Sequence, residues 1–239
     1  MSLFTIADLH LSGAADHPMD VFGDRWLGYT DKICRRWRSV VSENDTVILP
    51  GDISWGMTLD EAMPDFALLD GLPGQKLLGK GNHDFWWDTA TKLTSFFDKN
   101  GFSTLKLLFN NAYRVESFII TGTRGWFLEE SQQVTVGTVD YDKLIRREAL
   151  RLERGLSAAA VLQQETPTSE ILVFLHFPPV YGDFVCREMV DLLHRFGVRR
   201  CYYGHIHGVY TLPPCRMFEE IGFFPVSSDY LDFTPKKIL

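Results

Sequence analysis

The chain has 239 residues, of which 45% are hydrophobic and 23% are charged, a balance typical of a soluble globular protein. Its formal net charge of −7 disfavours sequence-independent binding of duplex nucleic acid, which depends on Lys and Arg neutralising phosphates. No apolar run reaches the roughly 20 residues of a membrane span, and the amino-terminal apolar stretch is too short for a signal peptide. The four cysteines form no C-x-x-C pair. We therefore expect a single cytoplasmic domain over residues 1–239, with no membrane partner.

Short apolar runs alternate with helical patterns along most of the chain. The runs are continuous rather than alternating in polarity, which is typical of strands buried on both faces. They cover residues 3–7, 46–50, 76–79, 118–122, 171–175 and 199–203. Apolar spacing, a capping box at Thr58 and helix-stop signals predict helices over residues 24–41, from 58 onwards, and over 89–100, 140–164 and 183–196. Pro64 is expected to kink or restart the second helix.

The pattern changes after residue 202. Residues 208–212, 216–220 and 223–226 resemble short strands joined by turns. A strand–helix alternation with such an antiparallel end predicts an α/β fold with mixed sheets.

Five of the predicted strands are followed directly by side chains that bind metals. In open α/β sheets, sites form outside the carboxyl ends of strands, so these segments are expected to meet at one place. Each fragment alone is compatible with an ordinary turn or a core histidine, and the prediction depends on all five occurring together. The side chains are Asp8 and His10, Asp52, Asn82 with His83 and Asp84, His176, and His205 with His207.

The ordered strings DLH, GD, GNHD, HFPP and GHIH resemble the motifs of the calcineurin-like metallophosphoesterases, and they extend from residue 8 to residue 207. The resemblance implies a four-layer α/β/β/α sandwich with two mixed β-sheets and a dinuclear metal site. It also implies that His83 faces the substrate while Asp84 orients it. One metal would be bound by Asp8, His10, Asp52 and His207, and the other by Asp52, Asn82, His176 and His205.

The chemistry of this ligand set favours phosphate ester hydrolysis. Asp8 and Asp52 are the only charged ligands, so two divalent cations would retain a surplus positive charge for a phosphate. A mixed nitrogen and oxygen set suits manganese, iron, zinc, cobalt or nickel. The expected reaction is attack of a metal-bridging hydroxide on a phosphate mono- or diester, with His83 assisting the leaving group.

Other residues have less specific signals. Arg124 follows a predicted strand, and it could either bind a substrate phosphate or be a surface residue in a turn. The tryptophans near the motifs are expected to pack around the site and exclude water, or to stack on a flat group of the substrate: Trp55, Trp86, Trp87 and Trp126. Loops over residues 12–24 and 127–139 are expected to select the substrate.

Two alternatives to a small-molecule phosphoesterase stay open. The chain could be a non-catalytic metal-binding scaffold on the same fold, although a scaffold has no chemical need for His83. It could also be a nuclease that acts on short oligonucleotides, since the net charge argues only against duplex binding. A small phosphorylated substrate is the expected partner. The substrate, the choice between monoester and diester, the native metal and the oligomeric state are not determined by the sequence.

Overall fold

The computed structural model describes residues 1–14, 19–126 and 141–238. The loop over residues 127–139 and positions 15–18 of the other predicted substrate loop lie outside the described residues. The first sheet contains β1 (Leu3–Thr5), β2 (Thr46–Leu49), β3 (Gln75–Leu78), β4 (Leu105–Leu107) and β13 (Lys236–Lys237). Its strand order is β13-β1-β2-β3-β4, in which only β13 is antiparallel to its neighbour.

A second sheet contains β5 (Ala112–Val115), β6 (Phe118–Thr123), β7 (Glu170–Leu175), β10 (Arg200–Tyr203), β11 (Arg216–Phe218) and β12 (Ile221–Pro225). Its order is β11-β12-β10-β7-β6-β5, and it is antiparallel at both edges. A small hairpin pairs β8 (Val180–Tyr181) with β9 (Phe184–Val185). The helices are α1 (Tyr29–Val40), α2 (Leu59–Asp70), α3 (Ala90–Asn100), α4 (Tyr141–Glu165) and α5 (Arg187–Arg195).

Three apolar clusters stack these elements into layers. The first cluster packs one face of the first sheet, including Val47 and Leu49, against α1, α2 and α3. The second lies between the two sheets and contains Ile48 and Phe174, and the third packs the second sheet against α4 and α5. Successive residues of a strand point to opposite faces, which is why Ile48 joins a different cluster from its neighbours. The fold is therefore the predicted α/β/β/α sandwich.

Several predicted elements differ in detail from the structure. The helix expected over residues 24–41 is divided at Gly28, whose φ of 59° is left-handed, into a 3-10 turn (Asp24–Trp26) and α1. Helix α2 continues through Pro64 without restarting. The helix expected over residues 183–196 begins only at Arg187, because its first residues pair as β9.

The strand expected over residues 208–212 was a wrong prediction, since this segment consists of bends and turns. Gly208 has a φ of 71°, and its backbone N–H donates to the Asp229 carboxylate instead of to a strand. Strands β4 and β5 were missed because they are short and carry weak apolar patterns. Among the described helices, none combines the length and apolarity that crossing a bilayer requires.

Candidate metal centre

The predicted ligands lie beyond the carboxyl ends of β1, β2, β3, β7 and β10, so both sheets contribute to one site. Asp8, His10, Asp52 and His205 have positive φ values of 59°, 46°, 52° and 69°. Residues other than Gly rarely adopt positive φ values, and backbone strain of this kind is concentrated at functional sites. Four predicted ligands therefore occupy a backbone geometry that the fold must impose on them.

The Asp52 carboxylate lies at the centre of the site. Its Oδ2 atom is 3.7 Å from His10 Nε2, 3.5 Å from His176 Nε2 and 2.8 Å from His83 Nδ1. Its Oδ1 atom accepts the backbone N–H of His83 at 2.8 Å. Asp52 Oδ2 therefore lies close to both His10 and His176, the two histidines that the resemblance assigns to different metals.

On one side of Asp52, three groups converge. His10 Nε2 and His207 Nε2 are 3.2 Å apart, and His207 Nε2 is 3.8 Å from Asp8 Oδ1. The Asp8 side chain is fixed by the backbone N–H of His205, which donates to both carboxylate oxygens at 3.0 and 2.9 Å. Ser228 Oγ donates to the Asp8 carbonyl at 2.6 Å. These contacts hold the first predicted ligand set in place.

On the other side of Asp52 lie the remaining predicted ligands. His176 Nε2 is 2.6 Å from Asn82 Oδ1, and His176 Nδ1 is 3.6 Å from Asp8 Oδ1. The rings of His176 and His205 are 5.2 Å apart, and Phe177 packs against His205 at 4.5 Å. All seven predicted metal ligands are therefore brought to one site.

Two glycines in the motifs make room for the carboxylates. A Cβ atom on Gly81 would collide with Asp52 Oδ1, and one on Gly204 would lie 2.5 Å from Asp8 Oδ2. The glycines of GNHD and GHIH are thus required by the close approach of backbone to the two acidic ligands.

The buried charges of the site favour a bound cation. Burial, together with the nearby Asp52, raises the pKa of Asp8 to about 7. Burial opposes ionisation of Asp52 as well, but His176, His83 and His10 outweigh it and hold the Asp52 pKa below its ordinary value. Burial lowers the pKa of His10 and of His176 to about 3, so both rings are neutral at physiological pH.

The donor set fits divalent transition metals. Neutral imidazoles offer free lone pairs, and the buried Nδ1 atoms of His10 and His176 have no hydrogen-bond partner within the described part of the chain. Metal-ligating atoms converge within 4.8 Å of one another in three groups: Asp8, His10 and His207; His10, Asp52 and His83; and Asp8, Asp52 and His176. Imidazole nitrogens combined with carboxylates suit this class of ion.

The Asp84 side chain is held by backbone N–H groups of two loops. Its buried carboxylate accepts the backbone N–H groups of Gly81, Asp52 and Ile53 at 2.8, 2.9 and 2.8 Å. The His83 ring instead makes its carboxylate contact with Asp52. Asp84 therefore ties the loop after β3 to the loop after β2, and its role in orienting His83 stays a prediction.

Asp229 contacts a predicted ligand, and no motif of the sequence pointed to it. Its buried carboxylate is 3.0 Å from His207 Nδ1 and also accepts the Gly208 N–H at 2.9 Å. Burial alone would lower the pKa of His207, but the hydrogen bond to Asp229 and the charge of Asp8 raise it to about 9. A carboxylate on the distal nitrogen fixes the ring of a metal-binding histidine. The available signal was its position just after an apolar run, at residues 223–226.

An apolar cavity of about 400 Å³ opens beside the ligand histidines. Trp55 stacks on His10 at 5.0 Å and lies 4.5 Å from His83, as a rim tryptophan was expected to do. The remaining walls are formed by Met19, Phe22, Trp26 and Tyr210 together with His207 and Gly208. Trp86 is instead buried against Phe66, and Trp126 packs on Phe177, so neither lines this cavity.

Arg124 is not the surface residue that one reading of the sequence offered. Its side chain is largely buried, and its Nη2 donates to Glu148 at 3.4 Å. The backbone carbonyl of Arg124 accepts the N–H groups of His176 and Phe177 at 3.1 and 2.8 Å. Arg124 thus lies directly beside a predicted ligand, although its guanidinium points into a separate cavity that also contains Lys80.

Comparisons with known proteins agree with this geometry. A family model described as calcineurin-like phosphoesterase matches residues 1–209. A solved structure of a protein of unknown function, AQ665 from Aquifex aeolicus, is similar with a TM-score of 0.54 and 14% identity, covering 99% of this chain and 95% of that one. TT1561 from Thermus thermophilus is similar with a TM-score of 0.56 and 9% identity, over 95% and 89%. At these identities the two structures support the fold alone. A search of curated proteins finds no match.

Proposed function

Because the chain belongs to the calcineurin-like phosphoesterases, we propose that it hydrolyses phosphate esters of small molecules with the help of two divalent transition-metal ions. Asp8, His10, Asp52 and His207 would bind one ion, and Asp52, Asn82, His176 and His205 the other. Bound ions of this kind polarise phosphoryl oxygens and lower the pKa of water, which supplies a nucleophile at neutral pH. Asp52 belongs to both ligand sets.

The position of Asp52 Oδ2 is the observation that carries the proposal. This one oxygen is within 3.7 Å of His10 and 3.5 Å of His176, which approach it from different sheets. A carboxylate has two oxygens and a full negative charge, so it can serve two cations at once. A non-catalytic metal-binding scaffold could use the same carboxylate, but it has no chemical need for His83, whose ring lies 2.8 Å from Asp52 Oδ2 and is 36% exposed.

His83 is the proposed proton donor. It lies between Asp52 and the apolar cavity, and its side chain is 36% exposed, so the ring can reach a substrate. Burial lowers the pKa of His83, but the hydrogen bond to Asp52 and the charge of Asp52 raise it above its ordinary value. An imidazolium held in this way can protonate the departing alkoxide as the phosphorus–oxygen bond breaks.

The cavity next to His83 suits an apolar or flat organic group of the substrate. The indole of Trp55 and the rings of Trp26, Phe22 and Tyr210 supply most of its wall. Aromatic surfaces bury apolar groups and stack on flat ones. The ester group that leaves would occupy this cavity while the phosphoryl group lies at the ligands. Either a monoester or a diester fits such an arrangement.

Metal-dependent turnover is the direct test. Metal content and hydrolysis of a monoester, a diester and a nucleotide panel should be measured on purified protein, after chelation and after reloading. Activity is expected to disappear with the metals and to return with them. Full activity in a metal-free sample, or no turnover of any ester by the loaded protein, would contradict the proposal.

The same panel separates the alternatives. A short oligonucleotide as the best substrate would favour the nuclease, whereas stoichiometric metal binding without turnover would favour the scaffold. The formal net charge of −7 argues against long duplexes as substrates.

A further inference from the structure

A second cavity, of about 530 Å³, is lined by Lys80 and Arg124, and the Arg124 backbone carbonyl accepts the N–H of the predicted ligand His176. Its wall includes four cationic side chains, which is unusual in a chain with a net charge of −7. The aromatic rings of Trp87 and Phe109 also line it. The four cations are Lys80, Arg124, Arg147 and Arg151.

The cavity is close to the predicted ligands. Lys80 is separated from Asn82 by a single residue. The Arg124 guanidinium lies 5.8 Å from the ring of Phe177, and that ring is 4.5 Å from the ring of His205. One phenyl ring therefore separates an arginine of the basic cavity from a predicted metal ligand.

The cationic charge of the cavity is only partly compensated within the described residues. One buried carboxylate oxygen, Glu148 Oε1, is 3.4 Å from Arg124, 2.5 Å from Arg151 and 3.9 Å from Arg147. A single negative charge thus faces three guanidiniums. Asp88, a carboxylate that lines the cavity, pairs with Lys92 at 2.8 Å. Among the described residues, the cavity therefore has a positive surplus in a partly buried place, where an anion is attracted more strongly than at an exposed surface.

The cations are also held in position. Lys80 Nζ lies 6.0 Å from the centre of the Trp87 ring, and the Arg151 guanidinium lies 5.4 Å from that of Phe109. The two rings contact each other at 5.3 Å. Glu148 and the aromatic floor therefore reduce the rotamer entropy that an anion would otherwise have to overcome. Guanidiniums fixed in this way suit the planar, bidentate recognition of phosphate.

From this geometry we infer that the basic cavity binds a second phosphate group of the substrate, distinct from the one that is hydrolysed. The inference rests on the proposed function, because the first phosphate must lie at the metal ligands. The substrate class is then a small bisphosphorylated molecule. Its two phosphates are separated by a linker long enough to extend from the metal centre past Phe177 into the cavity.

Binding of non-hydrolysable probes tests the inference without turnover. Calorimetry on the metal-loaded full chain would compare alkyl phosphonates with alkane bisphosphonates over a series of linker lengths. At the best length, the bisphosphonate should bind about tenfold tighter, the effect of a charged hydrogen bond. Arg147→Gln should remove most of that ratio, and because its side chain is half-exposed, this substitution should leave the fold intact. Arg151→Gln serves as a second variant.

Arg146→Gln is the matched control, because it makes the same charge change at an exposed position on the same helix, outside the cavity. It should keep the tenfold ratio. Three results would overturn the inference. The bisphosphonate could bind no tighter than the phosphonate at any linker length, its tighter binding could survive both cavity variants, or Arg146→Gln could reduce it equally. Turnover of esters without the gain would leave the proposed hydrolysis intact while refuting the subsite. If the protein hydrolyses no ester but shows tighter bisphosphonate binding that depends on the cavity arginines, the subsite is supported and the proposed hydrolysis is refuted.

Discussion

The Asp229 carboxylate fixes the ring of His207 from the side away from the ligands, at 3.0 Å from Nδ1. Asp229→Ala should weaken metal binding by Asp8, His10 and His207 by about 10- to 100-fold, because the ring loses its orientation and basicity. A metal titration would then show one weakened site and one unchanged site. Asp232→Ala is the control, since this exposed carboxylate lies in the same segment and pairs with Arg25 and Arg36. Equal weakening in both variants would contradict the role of Asp229.

His83 is the residue that we propose to act on the substrate rather than to bind a metal. His83→Gln should keep both metals and lower kcat by about 10²–10⁴-fold, as expected when a general acid is lost. Metal content and kcat would be measured on the same sample. Since His83 Nδ1 also lies close to Asp52 and His10, loss of a metal in this variant would identify His83 as a ligand instead.

At the scale of elements, β3 contains a buried lysine. Lys76 Nζ donates to the Leu72 carbonyl and to Thr104 Oγ1, the latter at 3.1 Å, and its side chain is fully buried. Burial lowers its pKa to about 8 from an ordinary 10.5. Between these two values the unfolded chain binds more protons than the folded chain, so the contribution of Lys76 to stability increases as pH rises through this window.

Lys76→Met should remove this pH dependence. The difference in unfolding free energy between the wild type and Lys76→Met should change by about 3 kcal/mol between pH 8 and pH 10.5, with the wild type gaining. Denaturant titrations at several pH values would measure it. Taking the difference cancels the titration of tyrosines and cysteines elsewhere, and a constant difference across the window would show that the pKa of Lys76 is not lowered.

Across the whole molecule, the predicted metal ligands come from both sheets. Asp8, His10, Asp52 and Asn82 follow strands of the first sheet, whereas the other three ligands follow strands of the second. Metals that bind only the folded state should stabilise it by about 2.7 kcal/mol at a concentration one hundred times the dissociation constant. Thermal unfolding with and without metal would reveal this as a rise in Tm.

Variants of two ligands refine that expectation. Asp52→Ala should abolish the metal-dependent rise in Tm, because the shared carboxylate is lost from both sites. His10→Ala should reduce it only in part, since His10 belongs to one site. Equal, small losses in both variants would argue against Asp52 as the bridge.

The sequence by itself determined the α/β class and which polar side chains follow the buried strands, because both depend on local patterns, whereas the layer order and the ligand set were implied by the resemblance to a family. A continuous apolar run predicts a buried strand, and the residue after it lies at the carboxyl edge whatever the rest of the chain does. His10 and His176 are 166 residues apart in the chain, yet each could be identified from its own neighbours. The single domain over residues 1–239 stays a prediction.

Only the tertiary structure decided which side chains from distant segments contact each other at the carboxyl ends of the strands. Asp84 binds the loop that carries Asp52, and Asp229 binds a histidine 22 residues before it. The grouping of Arg124, Arg147 and Arg151 around Glu148 depends on how α4 packs on the second sheet. Such contacts arise from packing between distant segments, and no local pattern encodes which turn will face which helix.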